Sequence, residues 1–310
     1  MSTENEFRSG FVAIVGRPNT GKSTLINALV GSKIAITSHH PNTTRHAIRG
    51  IINNPNFQAV LVDTPGVHKP RTLLGFHLNK VVNDNLDSVD AIMMCLPANE
   101  ANGAGDQFIA AEIAKHPRAK KFALVTKTDT VNKKTLADRL MTISDLAEGF
   151  TWDEIIPVSA VIHDQIELLE KIIGENIPVG PAFYPEDQKS DQGVEQLICE
   201  LIREAAMRDA LQELPHSIMV TIDEMSMREP NGTRPFYDIH ASIHVERDSQ
   251  TGIILGHQGQ RLKDIGMRAR KDIERELGAR IFLGLHVKVS KEWQRDPKLL
   301  ERLGFSDKKH

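Results

Sequence analysis

The sequence predicts two domains in tandem, an α/β domain on a mainly parallel sheet followed by a smaller α+β domain. Three observations carry this. At 310 residues the chain exceeds one ordinary domain. Before residue 176, short and nearly continuous apolar runs alternate with helix-patterned segments, as strands buried on both faces of a parallel sheet require. After a connector rich in proline and glycine, the strands instead alternate in polarity, and a Gly-x-x-Gly turn joins two helical stretches. The boundaries read from these shifts are 8–176 for the first domain, 177–192 for a linker, 193–292 for the second domain and 293–310 for a tail.

The first strand, Phe11 to Val15, runs into Gly16-Arg17-Pro18-Asn19-Thr20-Gly21-Lys22-Ser23, and Thr24 to Leu29 leaves at helical spacing. Strand, glycine turn and helix in this order form a phosphate-binding loop. Gly16 and Gly21 permit dihedrals that turn successive N–H groups onto one anion, and the following helix adds its positive end. Lys22 reaches the β- and γ-phosphates, and the Ser23 hydroxyl suits a Mg²⁺ ligand. Gly31 to Arg45 reads as a loop. Ala47–Ile52 and Phe57–Val62 form a hairpin that ends in Asp63-Thr64-Pro65-Gly66, where such an enzyme holds its metal and senses the γ-phosphate. Further runs at Asp90–Leu96, Phe122–Val125 and Ile155–Val158 predict strands, with helices over 74–86, 106–114 and 136–146. Two of these strands empty into Thr126-Lys127-Thr128-Asp129 and Ser159-Ala160 on the carboxyl edge of the sheet, where open α/β sheets bind ligands.

In the second half, 194–213 has an amphipathic helical pattern, and Ser217–Asp223 and Tyr237–Glu246 alternate as paired strands. His240, Ser242 and His244 fall on the polar side of the second strand, which predicts a solvated face rather than a metal site. Gly256-His257-Gln258-Gly259 separates two helices, the second running to Leu277, and a final strand spans 281–289. This is the order of a KH domain of prokaryotic type (type II), whose Gly-x-x-Gly turn clamps the backbone of single-stranded RNA. Ile254, Gly256, His257, Gln258, Gly259, Arg261, Lys263, Arg268 and Lys271 are the expected RNA-binding residues.

The net charge of −3 conceals a division: residues 181–255 carry 6 basic and 14 acidic side chains, whereas 256–310 carry 14 and 8. The last part therefore has the local positive field that an RNA-binding surface needs. Cys95 and Cys199, both in apolar patterns, read as reduced structural thiols. The first ten residues lack an apolar stretch, and eighteen apolar residues nowhere run together, so a cytoplasmic protein is expected.

The segments GRPNTGKS (16–23), PNTTRHAIRG (41–50), DTPGVHKP (63–70), TKTD (126–129) and VSA (158–160) resemble the five nucleotide motifs of the Era-type GTPases. YPEDQKSD (184–191), GIILGHQGQRLKDIG (252–266) and KEWQRDPKLLERLGF (291–305) resemble that family's linker, KH turn and tail. The resemblance implies a Ras-like P-loop GTPase domain followed by the KH domain. It implies a GTP-dependent switch that binds the 3′ end of 16S rRNA and assists assembly of the 30S subunit, as a monomer. It implies that Gly16, Asn19, Thr20, Gly21, Lys22, Ser23, Thr24, Asp63, Gly66, Thr126, Lys127, Asp129, Ser159 and Ala160 bind GTP or GDP. Ser23, Thr44 and Asp63 would hold Mg²⁺, and Lys22, Asn19, Thr44 and Gly66 would act in hydrolysis.

Three departures stand out. Thr126 replaces the family's usual asparagine, and His257 and Gln258 replace a lysine-rich pair. Val67 follows the Asp-x-x-Gly glycine where Ras-like enzymes have a glutamine that orients water. Asn19 could instead ligate K⁺ beside the phosphates, as a resemblance to potassium-stimulated GTPases implies, with the cation acting as an arginine finger does. Two other readings are an RNA chaperone in which hydrolysis is incidental, and a regulator peripheral to the inner face of the membrane through the basic end, Lys288 to Lys309.

Overall fold

The computed structural model describes residues 6–37, 48–63, 88–208, 218–228, 235–291 and 293, in two compact units. In the first unit, six strands form one sheet: β1 (Arg8–Val15), β2 (Ile48–Asn54), β3 (Phe57–Asp63), β4 (Ala91–Pro97), β5 (Lys120–Thr126) and β6 (Glu154–Pro157). Their order is β2-β3-β1-β4-β5-β6, with only the β2–β3 pair antiparallel. That pair is the expected hairpin, closed by Pro55 and Asn56. The helices are α1 (Lys22–Val30), α2 (Ala104–Ala114), α3 (Lys133–Ile143) and α4 (Ile166–Asn176). The helix expected over 74–86, together with Thr44, Arg45, Gly66 and Val67, lies outside the described residues.

Alternate residues of β1 show why these strands read as continuous apolar runs. Val12 and Ile14 pack with Leu25, Leu29, Leu169 and Ile173 on one face, whereas Ala13 and Val15 pack with Ile109, Ile113 and Ile143 on the other. Both faces are covered, so neither can be polar. Parallel pairing then brings the carboxyl ends of β1, β3, β4 and β5 to one edge, with Ile14 opposite Asp63 and Pro97 opposite Thr126.

Residues 177–192, read as a linker, are built into this unit. Ser9 N–H donates to the Pro178 carbonyl (2.9 Å), and the Gln58 side chain joins the backbone of Phe183 and Tyr184. Farther on, Ile51 N–H donates to the Lys189 carbonyl (2.9 Å), and Gly50 bridges Ser190 along the outer edge of β2.

The second unit contains α5 (Val194–Met207), β7 (Met219–Arg228), β8 (Phe236–Val245), α6 (Asp248–Leu255), α7 (Gln260–Leu277) and β9 (Arg280–Val289). The strands lie in the order β7-β8-β9, with β8 and β9 parallel, so the two helices and their turn form the crossover between them. Ile239, Ala241, Ile243 and Val245 face a core shared with Ile198, Ile202, Ile265, Ala269 and Ile273. Trp293, expected to begin the tail, is fully buried.

The opposite face of this sheet is less open than its pattern suggested. Ser242 is buried and donates to Asp223, and the ring of His244 lies 2.9 Å from both Thr221 Oγ1 and Ser290 Oγ. Burial lowers the His244 pKa, with Lys288 adding to the effect and Asp223 opposing it. β7 and the residue just after β9 supply these partners, and the sequence of β8 alone does not reveal them. Among the described residues no group of three or more His, Cys, Asp or Glu side chains could hold a metal, and both cysteines are free.

Gly174 tests how closely α4 lies on the sheet. A Cβ there would meet the Phe57 ring at 2.5 Å. Gly174→Ala should therefore destabilise the protein by about 1–3 kcal/mol in denaturant unfolding, despite alanine's higher helix propensity. A gain in stability would show that the ring moves aside freely.

Candidate functional site

The loop between β1 and α1 turns through left-handed backbone at Asn19 (φ 63°) and Gly21 (φ 94°), with Gly16 also at positive φ (151°). A Cβ at Gly16 would lie 2.8 Å from both the Cys95 carbonyl and Thr20 Oγ1, so glycine alone fits between β4 and the loop. Lys22 Nζ folds back over the loop and donates to the carbonyls of Gly16 (2.9 Å) and Arg17 (2.7 Å). Burial lowers the Lys22 pKa, and the Asp63 carboxylate opposes that shift. Thr24 follows in the first turn of α1, half-buried.

At the metal end, Ser23 Oγ donates to Asp63 Oδ2 (3.0 Å), and Asp63, at the tip of β3, is fully buried. A hydroxyl beside a carboxylate is an all-oxygen set that fits Mg²⁺. The neighbouring Cys95 thiol does not compete, because burial pushes its pKa up to about 12 and keeps it neutral.

The loop is tied from both sides. Arg17 Nε donates to Asp106 Oδ1 (2.8 Å), a buried carboxylate that also accepts from Gly103 N–H at the start of α2 (2.9 Å). Its second arm reaches Glu100 (3.1 Å). Sequence reading missed this anchor. Its one signal was Gly105, where a Cβ would touch Arg17 Cδ at 2.8 Å. On the other side, Thr126 Oγ1 donates to the Thr20 carbonyl (2.6 Å).

At the base end, Lys127 has left-handed backbone (φ 58°) and starts a short 3₁₀ turn, Thr128–Thr130. Ser159 Oγ donates to Asp129 Oδ1 (2.5 Å). Ser159 is itself fixed by reciprocal backbone bonds with Asp164 (3.1 and 2.9 Å), which close the loop that carries Ala160. The carboxylate is thus held in place with a second oxygen left to accept from a guanine N1–H and N2–H. A separate groove of about 610 Å³, lined by Arg8, Asn54, Phe57, Glu170, Lys171 and others, contains none of these motifs.

In the second unit, Gly256 has φ 68° and ψ −175°, a region open essentially to glycine, and a Cβ there would meet Arg261 Cβ at 2.7 Å. Gly259 also has positive φ (77°), but a Cβ there would meet nothing within 4 Å. The first glycine closes the turn, and the second faces open space. His257 and Gln258, between them, are exposed. On α7, positions 261, 268 and 271 fall on one flank at 100° per residue, which Asp264 and Asp272 share, and Arg275, paired with Asp272 and Glu276, continues it. Lys263, at 200° from 261, does not join it. Ile254, expected to touch RNA, is fully buried in the core; the period-3.6 face of α6 turns it inward and leaves only its backbone near the turn.

This is the arrangement of a P-loop guanine-nucleotide hydrolase carrying a KH module. Family models match both parts, a "50S ribosome-binding GTPase" over residues 11–145 and a "KH domain" over 213–294. The chain is 53% identical to the GTPase Era of Streptomyces coelicolor over 97% of this chain and 96% of that one. It is 52% identical to that of Mycolicibacterium smegmatis, over 97% and 99%. Its structure is similar to a crystal structure of Era in complex with MgGDPNP and nucleotides 1506–1542 of 16S ribosomal RNA, with a TM-score of 0.90, 34% identity and 97% and 99% of the two chains covered. A variant of Aquifex aeolicus Era bound to GDP and AlF4⁻ matches with the same score and identity, over 97% and 100%. The chain belongs to the Era family of GTPases.

Lys22→Ala removes the ammonium group that donates to the Gly16 and Arg17 carbonyls. GTP turnover should fall by about 100-fold or more, measured as phosphate release. Turnover at the normal rate would remove Lys22 from the reaction.

Proposed function

We propose that this GTPase uses GTP hydrolysis to time its binding of the 3′ end of 16S rRNA during assembly of the 30S subunit. The observation that carries this is the open space at Gly259 beside the basic flank of α7, joined in one chain to the nucleotide loop. The RNA itself is read from the relative whose crystal structure holds nucleotides 1506–1542.

Lys22 leaves its carbonyl partners to neutralise phosphate charge, while the amides of the loop and the start of α1 bind the phosphate oxygens. Ser23, Asp63 and, in the GTP state, Thr44 hold Mg²⁺, which supplies charge neutralisation between the β- and γ-phosphates. The Gly66 amide senses the γ-phosphate, and Asp129 selects guanine. We place the protein in the cytoplasm as a monomer. Among the described residues no helix is long and apolar enough to cross a membrane.

RNA affinity tests the second unit. Gly259→Asp should weaken binding of an RNA with the 1506–1542 sequence by about tenfold, or about 1.4 kcal/mol, relative to Gly259→Asn, which carries the same backbone strain at φ 77° without the charge, with RNA-free GTP turnover retained in both. With Arg261, Arg268 and Lys271 as the phosphate contacts, the salt slope should be roughly −2. Unchanged affinity would place the clamp elsewhere. Crosslinking to cellular RNA with GTP or GDP tests the coupling: enrichment of the rRNA 3′ end only with GTP is expected, and equal enrichment would favour the chaperone reading.

Water activation remains to be supplied, because Arg17 is held by Asp106 and Glu100, away from the phosphates. Asn19 is exposed in the loop, and we assign its amide oxygen to a K⁺ ion beside the phosphates. Hydrolysis should be faster in KCl than in NaCl at equal ionic strength, and the difference should vanish in Asn19→Gly, which keeps the positive φ but removes the oxygen. Equal wild-type rates would leave Asn19 a turn residue only.

A further inference from the structure

We infer that Thr126 is a positioning residue that joins the phosphate loop to the base-reading end of β5, and that it leaves guanine N7 unread. A threonine hydroxyl has one hydrogen, and a backbone carbonyl has none to give. At 2.6 Å from the Thr20 carbonyl, Thr126 Oγ1 must therefore be the donor, and its only hydrogen is committed. What the hydroxyl has left are lone pairs. Guanine N7 and O6 are both acceptors, so lone pairs repel rather than recognise that edge.

The surroundings keep the hydroxyl in this role. Thr126 is 4% exposed, its carbonyl accepts from Ala98 N–H (2.8 Å), and its Cβ lies in van der Waals range of a Cβ built at Gly21. An alternative rotation would orphan the Thr20 carbonyl beside a buried wall, which costs more than the bond is worth in water. An asparagine in this position has two amide hydrogens and could serve the loop and an acceptor on the base together. Threonine keeps the first function and gives up the second. Guanine selection in this chain then does not draw on Thr126 and rests on Asp129, held by Ser159, and on the loop that carries Ala160.

This inference rests on the assignment of the base to the tips of β5 and β6. That assignment fails separately, if the full-length protein does not prefer GDP over ADP. The inference itself is tested with 7-deaza-GDP, in which a C–H replaces N7. With Mg²⁺ present, the wild-type protein should bind GDP and 7-deaza-GDP within about twofold of one another in competition titrations. Thr126→Asn should bind GDP about fivefold more tightly than 7-deaza-GDP, the worth of one added hydrogen bond. Thr126→Val should weaken both ligands equally, by about tenfold, and Thr126→Ser should restore them. Wild-type discrimination of fivefold or more against 7-deaza-GDP would overturn the N7 claim, and this measurement needs no variant. Wild-type affinity in a folded Thr126→Val protein would overturn the positioning claim.

Discussion

The backbone of the phosphate loop is the constraint on which the first unit depends. Its donors can converge on one anion only while Asn19 and Gly21 hold left-handed angles, a conformation with little to recommend it locally. The fold supplies the missing stabilisation from outside the loop. Asp106 at the head of α2 holds Arg17 on one side, and Thr126 at the end of β5 holds Thr20 on the other. Two elements remote in sequence, α2 and β5, thus brace the loop, and parallel pairing brings the end of β5 to the edge where the loop lies. The same logic recurs in the second unit, where Gly256, Gln258 and Gly259 all have positive φ inside a crossover whose ends are fixed by strands β8 and β9.

Legibility in the sequence followed the range of the interaction. The strands of the first sheet could be read because burial on both faces leaves an apolar run that no other element produces so briefly. The phosphate loop and the Gly-x-x-Gly turn could be read because their chemistry is local, a matter of which residue tolerates which dihedral. The side-chain ties could not. Arg17 looks like a solvent-exposed loop cation until α2 arrives 89 positions later with a buried carboxylate, and only the glycine beside Asp106 hints at that purpose.

The histidine strand shows the same limit. Alternation placed Ser242 and His244 correctly on the face away from the core, but alternation reports only a face, not what leans over it. Thr221, Asp223 and Ser290 come from other segments and turn that face into a hydrogen-bonded layer. Ile254 is the converse case: proximity to the turn suggested contact with RNA, and helical phase sent the side chain the other way. The nucleotide site was more legible than the RNA surface because its motifs fix spacing and residue type together, whereas a basic helix flank fixes only charge.

The strip of chain at 188–191 has a consequence for solubility. β2 is one of the two edge strands of the six-stranded sheet, and an edge strand offers a row of unsatisfied N–H and C=O groups to any other extended chain. Lys189, Ser190 and Asp191 occupy part of that row, with Gln188 accepting from the Asn53 side chain just beyond. The segment that carries the chain out of the first unit is therefore also its hem. A cut or an insertion there would do more than lengthen a tether: it would unpick the border of the sheet and leave β2 open to pairing with a second molecule.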